Sequence, residues 1–272
     1  MTPPDEPIIP PELLLKAYRA GIFPMADSRD DPEVFWVEPR MRAILPLDGF
    51  HLSRSLARTL RRGRFTVTCN AAFDSVIDAC AAPRPDAEES WISRRIRESY
   101  RKLHAVGHAH SIETWADGRL VGGLYGVGFA RVFCGESMFS RMNDASKVAL
   151  AWLVAALRRS GAELLDCQFT TPHLASLGAV EIPQERYLDM LRHAQRPHSS
   201  VLAPDGFGVA GFGVAGLGAA GLGAAGVAAG DGAVAGAGAV LGLPAGFAAL
   251  LAEAGSSSSP GNFIAQSLTH TS

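Results

Sequence analysis

Apolar residues recur three and four apart at Leu13, Leu14, Ala17 and Tyr18, which predicts a helix over 11–20 that Gly21 stops. Helical spacing returns at Leu56 and Leu60, with Ser53 as cap and Gly63 as stop. It returns again at Phe73, Val76, Ile77 and Cys80, with Asn70 as the expected cap. A long basic helix over 92–106 ends at Gly107. An apolar helix through Ala151, Trp152 and Leu157, with Asp144 or Asn143 as the expected cap, ends in Arg158-Arg159 before Gly161. Pro183 opens a last helix through Tyr187 and Leu191. Between these lie strand patterns at 42–47, 65–69, 110–115, 119–127, 130–137 and 164–167. Asp117-Gly118 between the third and fourth is a hairpin signal. Helices mixed with a run of adjacent strands predict an α+β fold with a mixed sheet, divided as a small N-terminal domain at 1–62 and a main domain at 63–196.

The pattern fails near Pro197. From Gly206 a five-residue unit repeats, Gly-Phe-Gly-Val-Ala twice and then Gly-Leu-Gly-Ala-Ala twice, and serines follow at 256–259. The uncharged run 206–230 raises the question of a membrane span. Glycine at nearly every second position gives it little apolar surface and a large ordering cost, and no Lys or Arg flanks it. Residues 197–272 are therefore expected to be a flexible Gly/Ala-rich tail, dispensable for activity, with no membrane association.

Of the 272 residues, 47% are apolar and 19% charged, as in an ordinary globular protein. The net charge of -2 is unevenly spread, since the only charges after residue 200 are Asp205, Asp231 and Glu253. That excludes a polybasic coat, so any nucleic-acid contact must be a local patch. Cys69, Cys80, Cys134 and Cys167 form no C-x-x-C pair, which argues against a zinc ribbon or disulfide framework. Met1-Thr-Pro-Pro-Asp-Glu is no signal peptide, and the expected location is cytoplasmic.

Candidate chemistry lies in three segments. Glu136 sits among apolar neighbours in Phe133-Cys-Gly-Glu-Ser-Met-Phe-Ser140, where a carboxylate needs a partner or a task. Taken alone it reads first as a cap or an ion-pair partner for Arg141 or Lys147, ahead of a functional role. Asp166 and Gln168, two apart on a strand, share a face. The third segment is Trp91-Ile-Ser-Arg94, beside the basic helix. Gly123, Gly126 and Gly128 precede a strand rather than a helix, so they read as a hairpin or bulge and not a phosphate loop. His104, His108 and His110 lack the carboxylate or thiolate that would complete a metal site, so no metal is expected. Arg54, Arg58, Arg61, Arg62 and Arg64 form either a solvated face or a phosphate contact.

In order along the chain, several segments resemble one family, the bacterial leucyl/phenylalanyl-tRNA–protein transferases. They are Leu15-Lys-Ala-Tyr-Arg-Ala-Gly-Ile-Phe-Pro24, Trp36-x-x-Pro-Arg40, Phe50-His-x-Ser-Arg-Ser55, Trp91-Ile92 and Leu103-His-x-x-Gly-His-Ala-His-Ser-Ile-Glu113. Then follow Val121-Gly-Gly-Leu-Tyr-Gly-Val127, Phe133 to Arg141, Ala145-Ser-Lys147, Leu165-Asp-Cys-Gln168 and His173-x-Ala-Ser-Leu-Gly-Ala179 with Glu181-Ile-Pro183. The resemblance covers about residues 10–192. It implies a small N-terminal domain on a core like that of GCN5-related acetyltransferases (GNAT). It also implies transfer of Leu, Phe or Met from aminoacyl-tRNA to proteins with N-terminal Arg or Lys, which creates a degradation signal. No cofactor is implied, and the enzyme is expected to be a monomer. By position it makes Asp166 the candidate base, Gln168 its relay, and Glu136 the holder of an ammonium or an acceptor side chain. Leu124, Phe133 and Met138 map to the donor side-chain pocket, with Trp36 and Trp91 near the terminal adenosine. The resemblance often has Met where this chain has Leu124, a swap that conserves volume. An aminoacyl ester is already activated, so no enzyme nucleophile is needed. The rival readings are an acetyl-CoA-dependent acetyltransferase, a module that binds basic N-termini without turnover, and a structural Gly/Ala-repeat protein.

Overall fold

A computed structural model of the chain describes residues 8–83, 89–197, 240–255 and 259–269. Its chain order begins α1 (Pro11–Arg19), β1 (Phe23–Met25), β2 (Phe35–Val37), β3 (Met41–Ile44), α2 (Arg54–Arg61), β4 (Thr66–Cys69), α3 (Phe73–Ala81) and α4 (Arg94–Ala105). It continues through β5 (Ala109–Ala116), β6 (Arg119–Phe129), β7 (Val132–Ser140), α5 (Ala145–Arg159), β8 (Leu164–Gln168), α6 (Pro172–Ser176), β9 (Val180–Pro183) and α7 (Gln184–Ala194). Two further helices, α8 (Leu243–Gly255) and α9 (Pro260–Thr269), follow.

Seven strands form one mixed sheet in the order β4-β5-β6-β7-β8-β3-β9, which gives the α+β class. Strands β4 to β7 run antiparallel. Asp117 and Gly118 join β5 to β6 with both φ angles positive, the geometry of a type I′ hairpin. β7 and β8 are parallel, so the chain must cross over between them, and α5 is that crossover. β8 then pairs antiparallel with β3, and β3 with β9.

α5 explains much of the packing. Every residue from Val148 to Leu157 is buried, as expected of a helix that is apolar on all sides. The sheet covers one side; α2, α8 and α9 cover others. Gly122 on β6 lets the start of α5 come close, because a Cβ there would lie 2.6 Å from that of Ala145. Gly126 marks a register shift between β6 and β7, so the glycines serve the strand and its bulge, as their spacing suggests.

Three expectations need correction. β3, placed in the small N-terminal domain, pairs inside the seven-stranded sheet, and α2 packs on α5. Leu45 is likewise core, so the N-terminal part ends near residue 40 rather than 62. The tail is not uniformly flexible: among the described residues, 240–255 and 259–269 belong to the same compact unit as 8–83 and 89–196. Leu243, Phe247, Leu250, Ile264 and Leu268 are buried, and Phe247 packs against Trp152 with ring centroids 5.5 Å apart. Large apolar side chains replace the pentads there and supply the burial that Gly and Ala lack. The pentads themselves, including the run weighed as a membrane span, lie outside the described residues. Among the described residues no helix is long and apolar enough to cross a membrane. Finally, Asn70 does not cap α3. It has φ 58°, its Oδ1 accepts from the Ser111 N–H, and α3 begins three residues beyond it, at Phe73. The buried Glu113 carboxylate accepts the Ala71 and Ala72 N–H groups at 3.4 Å. Asp144, at the N-cap position of α5, likewise makes no side-chain cap hydrogen bond; Ser53, by contrast, caps α2 as expected.

Candidate active site

The parallel pairing of β7 with β8 runs only from Val132↔Leu164 to Cys134↔Asp166. Beyond it β7 stays paired to β6 as far as Ser140, while β8 ends at Gln168, whose φ is +56°. β7 lines a cavity of about 650 Å³ from Gly135 to Arg141. Leu124, Met138, Leu150, Leu153, Leu165 and Leu174 give the cavity an apolar wall, and Glu136 also faces it.

Glu136 has no cationic partner among the described ion pairs. Its Oε2 accepts from the Tyr100 hydroxyl at 3.1 Å and its Oε1 from the Gln168 side-chain amide at 2.9 Å. Tyr100 in turn meets the hydroxyl of the buried Tyr18. Burial pushes the Glu136 carboxyl up to about 8; the Tyr18 and Tyr100 hydroxyls work against this, and the Asp166 charge adds to it. The ion pairs weighed for it are absent. Arg141 donates to the Leu120 carbonyl and lies over the Phe139 ring, and Lys147 faces Asp144.

Asp166 is placed differently from the open base expected. It is fully buried and does not line the cavity. Its Oδ1 accepts from Arg42 Nε at 2.8 Å and from the Gln168 N–H at 2.9 Å. Its Oδ2 accepts from Arg42 Nη2 at 2.6 Å and from the Tyr187 hydroxyl at 3.0 Å. A carboxylate has about four acceptor positions, and all are filled. Arg42, 1% exposed, is held between the rings of Phe23 and Tyr187, 4.7 and 4.5 Å from their centroids. Burial opposes its charge, but Asp166 outweighs that and raises its pKa. The pair therefore fixes the Gln168 backbone, and with it the amide that reaches Glu136.

Of the residues expected to hold the donor, Leu124 and Met138 face each other across β6 and β7 and line the cavity. Phe133 is wholly buried in the core and does not. Trp36, 42% exposed on β2, and the partly buried Trp91 do not line it either. Both stand by the β1–β2 pair, since Trp36 is opposite Pro24 and the Trp91 carbonyl accepts from Ala26 N–H. Sequence reasoning missed Arg42, Tyr18, Tyr100 and Tyr187 as site supports. A lone Arg inside Met41-Arg-Ala-Ile-Leu45 was a usable signal, because a charge in an apolar strand must be paired. The three histidines engage Nδ1 with the Ala109 carbonyl, the Gly128 carbonyl and the Asn70 amide.

Two family models match the chain: leucyl/phenylalanyl-tRNA protein transferase over residues 44–192, and the N-terminal domain of the same transferase over residues 9–40. The chain belongs to the leucyl/phenylalanyl-tRNA–protein transferase family. A leucyl/phenylalanyl-tRNA–protein transferase of Novosphingobium aromaticivorans is 77% identical over 97% of both chains. One from Rhodopseudomonas palustris is 60% identical over 68% of this chain and 83% of its own, and one from Zymomonas mobilis 60% over 69% and 70%. The Novosphingobium match is long enough to take in α8. Solved structures resemble the fold only faintly. A conserved protein of Staphylococcus epidermidis aligns with 12% identity over 65% of this chain and 66% of its own, at a TM-score of 0.36. A tandem GNAT protein from the clavulanic acid pathway aligns with 12% identity over 66% and 61%, at 0.30.

Proposed function

We propose that the chain moves leucine, phenylalanine or methionine from the 3′ end of aminoacyl-tRNA to the N-terminal Arg or Lys of a protein. The product is a degradation signal, and the enzyme works as a cytoplasmic monomer without a cofactor. The observation that carries this reading is a leucine-lined cavity whose wall holds a carboxyl group poised near neutrality, Glu136, beside the Gln168 amide.

An unbranched or γ-branched donor side chain fills the apolar part, which sets the ester carbonyl beside Glu136 and Gln168. The acceptor arrives as an α-ammonium. Its positive charge favours the ionised form of Glu136, which then takes a proton. The neutral amine nitrogen attacks the ester carbonyl carbon. One N–H of the Gln168 amide holds Glu136, and its second is available to the developing oxyanion. The C–O bond to the ribose then breaks as the amide forms. Of the two protons the nitrogen gives up, one passes through Glu136 to water and the other ends on the departing 3′-oxygen. Asp166 and Arg42 position Gln168 without touching substrate. The exposed Arg54, Arg58, Arg61, Arg62 and Arg64, on and just beyond α2, form the face that meets the tRNA phosphates. The basic α4 suits this less, because Arg97 and Arg101 are paired with Asp74, Asp78 and Glu98.

The test uses radiolabelled Leu-tRNA with peptides beginning in Arg or in Ala, beside Glu136→Gln. Label reaching the Arg peptide alone, and falling by at least about 100-fold in the variant, supports the reading. No transfer by folded wild type with the tRNA still charged overturns it.

A further inference from the structure

A second, open cavity of about 350 Å³ adjoins the apolar one and shares Ser140, Arg141, Ser146 and His173 with it. Its wall holds two cations, Arg141 and Lys147, and the polar Ser140, Asn143, Ser146 and His173, together with the Asp144 carboxylate and the apolar Met142. Arg141 has no carboxylate within ion-pair distance among the described residues. It is nonetheless fixed in place, by Nη1 on the Leu120 carbonyl, by its own N–H on Val121, and by its stacking on Phe139. Lys147 reaches Asp144 only at 3.5 Å, and Asp144 also accepts from the Thr59 hydroxyl at 3.0 Å. His173 presents a buried Nε2 with no partner among the described residues. Burial, and then the Lys147 charge, lower its pKa, which leaves the ring neutral at pH 7. The backbone at the start of α5 is not what makes this site. The Ala145 N–H already goes to Met142 and the Ser146 N–H to the Ser140 hydroxyl. The donors that remain are side chains.

We infer that Arg141, Lys147, His173 and Ser146 form a phosphodiester subsite that holds the backbone of the donor's 3′-terminal nucleotides, next to the cavity that takes the aminoacyl group. This rests on the proposed donor reading. Arg141, the first residue past β7, is five residues from Glu136, roughly 16 Å at about 3.3 Å per residue. One nucleoside and the Arg141 side chain together span such a gap. A guanidinium, an ammonium and a hydroxyl around one opening match the several acceptor oxygens of a phosphate better than a single carboxylate.

The experiment measures equilibrium binding, so it does not depend on turnover. The probes are two non-reactive donor analogues, 3′-leucylamino-3′-deoxyadenosine with and without a 5′-linked cytidylate, titrated calorimetrically into the full chain. Wild type should bind the phosphate-bearing analogue about tenfold more tightly, the scale of one charge-assisted contact. Arg141→Ala and Lys147→Ala should each shrink that ratio towards one, and Lys147→Arg should keep it, with melting temperatures confirming the fold. A ratio near one in wild type, or one unchanged in both alanine variants, overturns the subsite. So does a loss that follows the affinity of an Arg-initiated peptide instead, which would make this an acceptor site. If wild type binds neither analogue, the donor reading of the apolar cavity fails and the subsite with it.

Discussion

Replacing Asp166 with Asn separates a supporting carboxylate from a catalytic base. The substitution keeps the shape but removes the charge that neutralises Arg42, which is 1% exposed and has no other carboxylate in its ion pairs. Breaking a buried pair by removing one partner costs about 3–5 kcal/mol, because the remaining charge stays buried. In a domain of this size each kcal/mol lowers Tm by about 2–4 °C, so the expected fall is roughly 6–20 °C. The assay is calorimetric or spectroscopic melting, together with Leu-tRNA transfer well below the transition. Transfer should drop too, because the Gln168 N–H loses its tether, but by a route that a second change can reverse. In Arg42→Met/Asp166→Asn neither charge is buried, and at least half of the lost stability should return with part of the activity. A true base leaves a different trace: an unchanged Tm for Asp166→Asn, with a loss of about 10²- to 10⁴-fold that Arg42→Met does not relieve. That outcome would refute the assignment of proton transfer to Glu136.

Three more predictions follow from named contacts. The folded pKa of Glu136 is raised to about 8, so the native state binds the proton more tightly than the unfolded chain. Its contribution is fully present below the ordinary carboxylate range and is lost as pH rises towards 8. Glu136→Gln should flatten the decline in Tm between about pH 5 and 8, and it should remove the matching inflection from the pH–rate profile; an identical slope in the two proteins would contradict this. Removing residues 240–272 takes away Leu243, Phe247, Leu250, Ile264 and Leu268, a loss on the order of 10 kcal/mol and comparable with a whole domain's stability. The truncated chain should aggregate or lose cooperative melting, and a soluble, active product melting within a few degrees of the full chain would count against α8 and α9 as core. Leu153 is buried and faces the cavity, so Leu153→Trp should cut transfer from Phe-tRNA more than from Leu-tRNA, by roughly 10- to 200-fold in the ratio of kcat/KM; equal losses on both donors would place the side chain elsewhere.

What could be read from the chain follows the range over which each signal acts. Helices with a repeating apolar face, the Asp117-Gly118 turn and the Ser53 cap depend on neighbours a few residues away, and all appear as expected. The three-residue strands β1 and β2 are too short to show a period. They exist because Phe23 to Met25 finds Phe35 to Val37 across the chain. Asn70 holds the Ser111 N–H instead, and Glu113 the N–H groups of Ala71 and Ala72, because the antiparallel pairing of β4 with β5 puts Cys69 opposite Ile112. That brings the carboxylate to the open end of α3, a contact 41 or 42 residues long in sequence. α8 and α9 were hidden by the glycine and alanine around them. Only the bare outer side of α5, an all-apolar helix that one sheet cannot cover, demanded that something return to it.

The two carboxylates of the site show the same limit. Asp166 and Glu136 looked alike in sequence, each a charge among apolar residues with a partner or a task to find. Which was which depended on strand order. Because β3 lies beside β8, Arg42 meets Asp166 from 124 residues away, and that carboxylate is satisfied. Glu136 continues along β7 past the last rung of the β7–β8 pairing and meets only neutral hydroxyl and amide groups. A carboxylate without a cation, facing a cavity, is still in want of a positive charge, and in the proposed reaction an N-terminal ammonium would supply it. Buried charge must be paired at both residues: at Asp166 the partner is the protein's own, and at Glu136 the partner we propose is the substrate's ammonium.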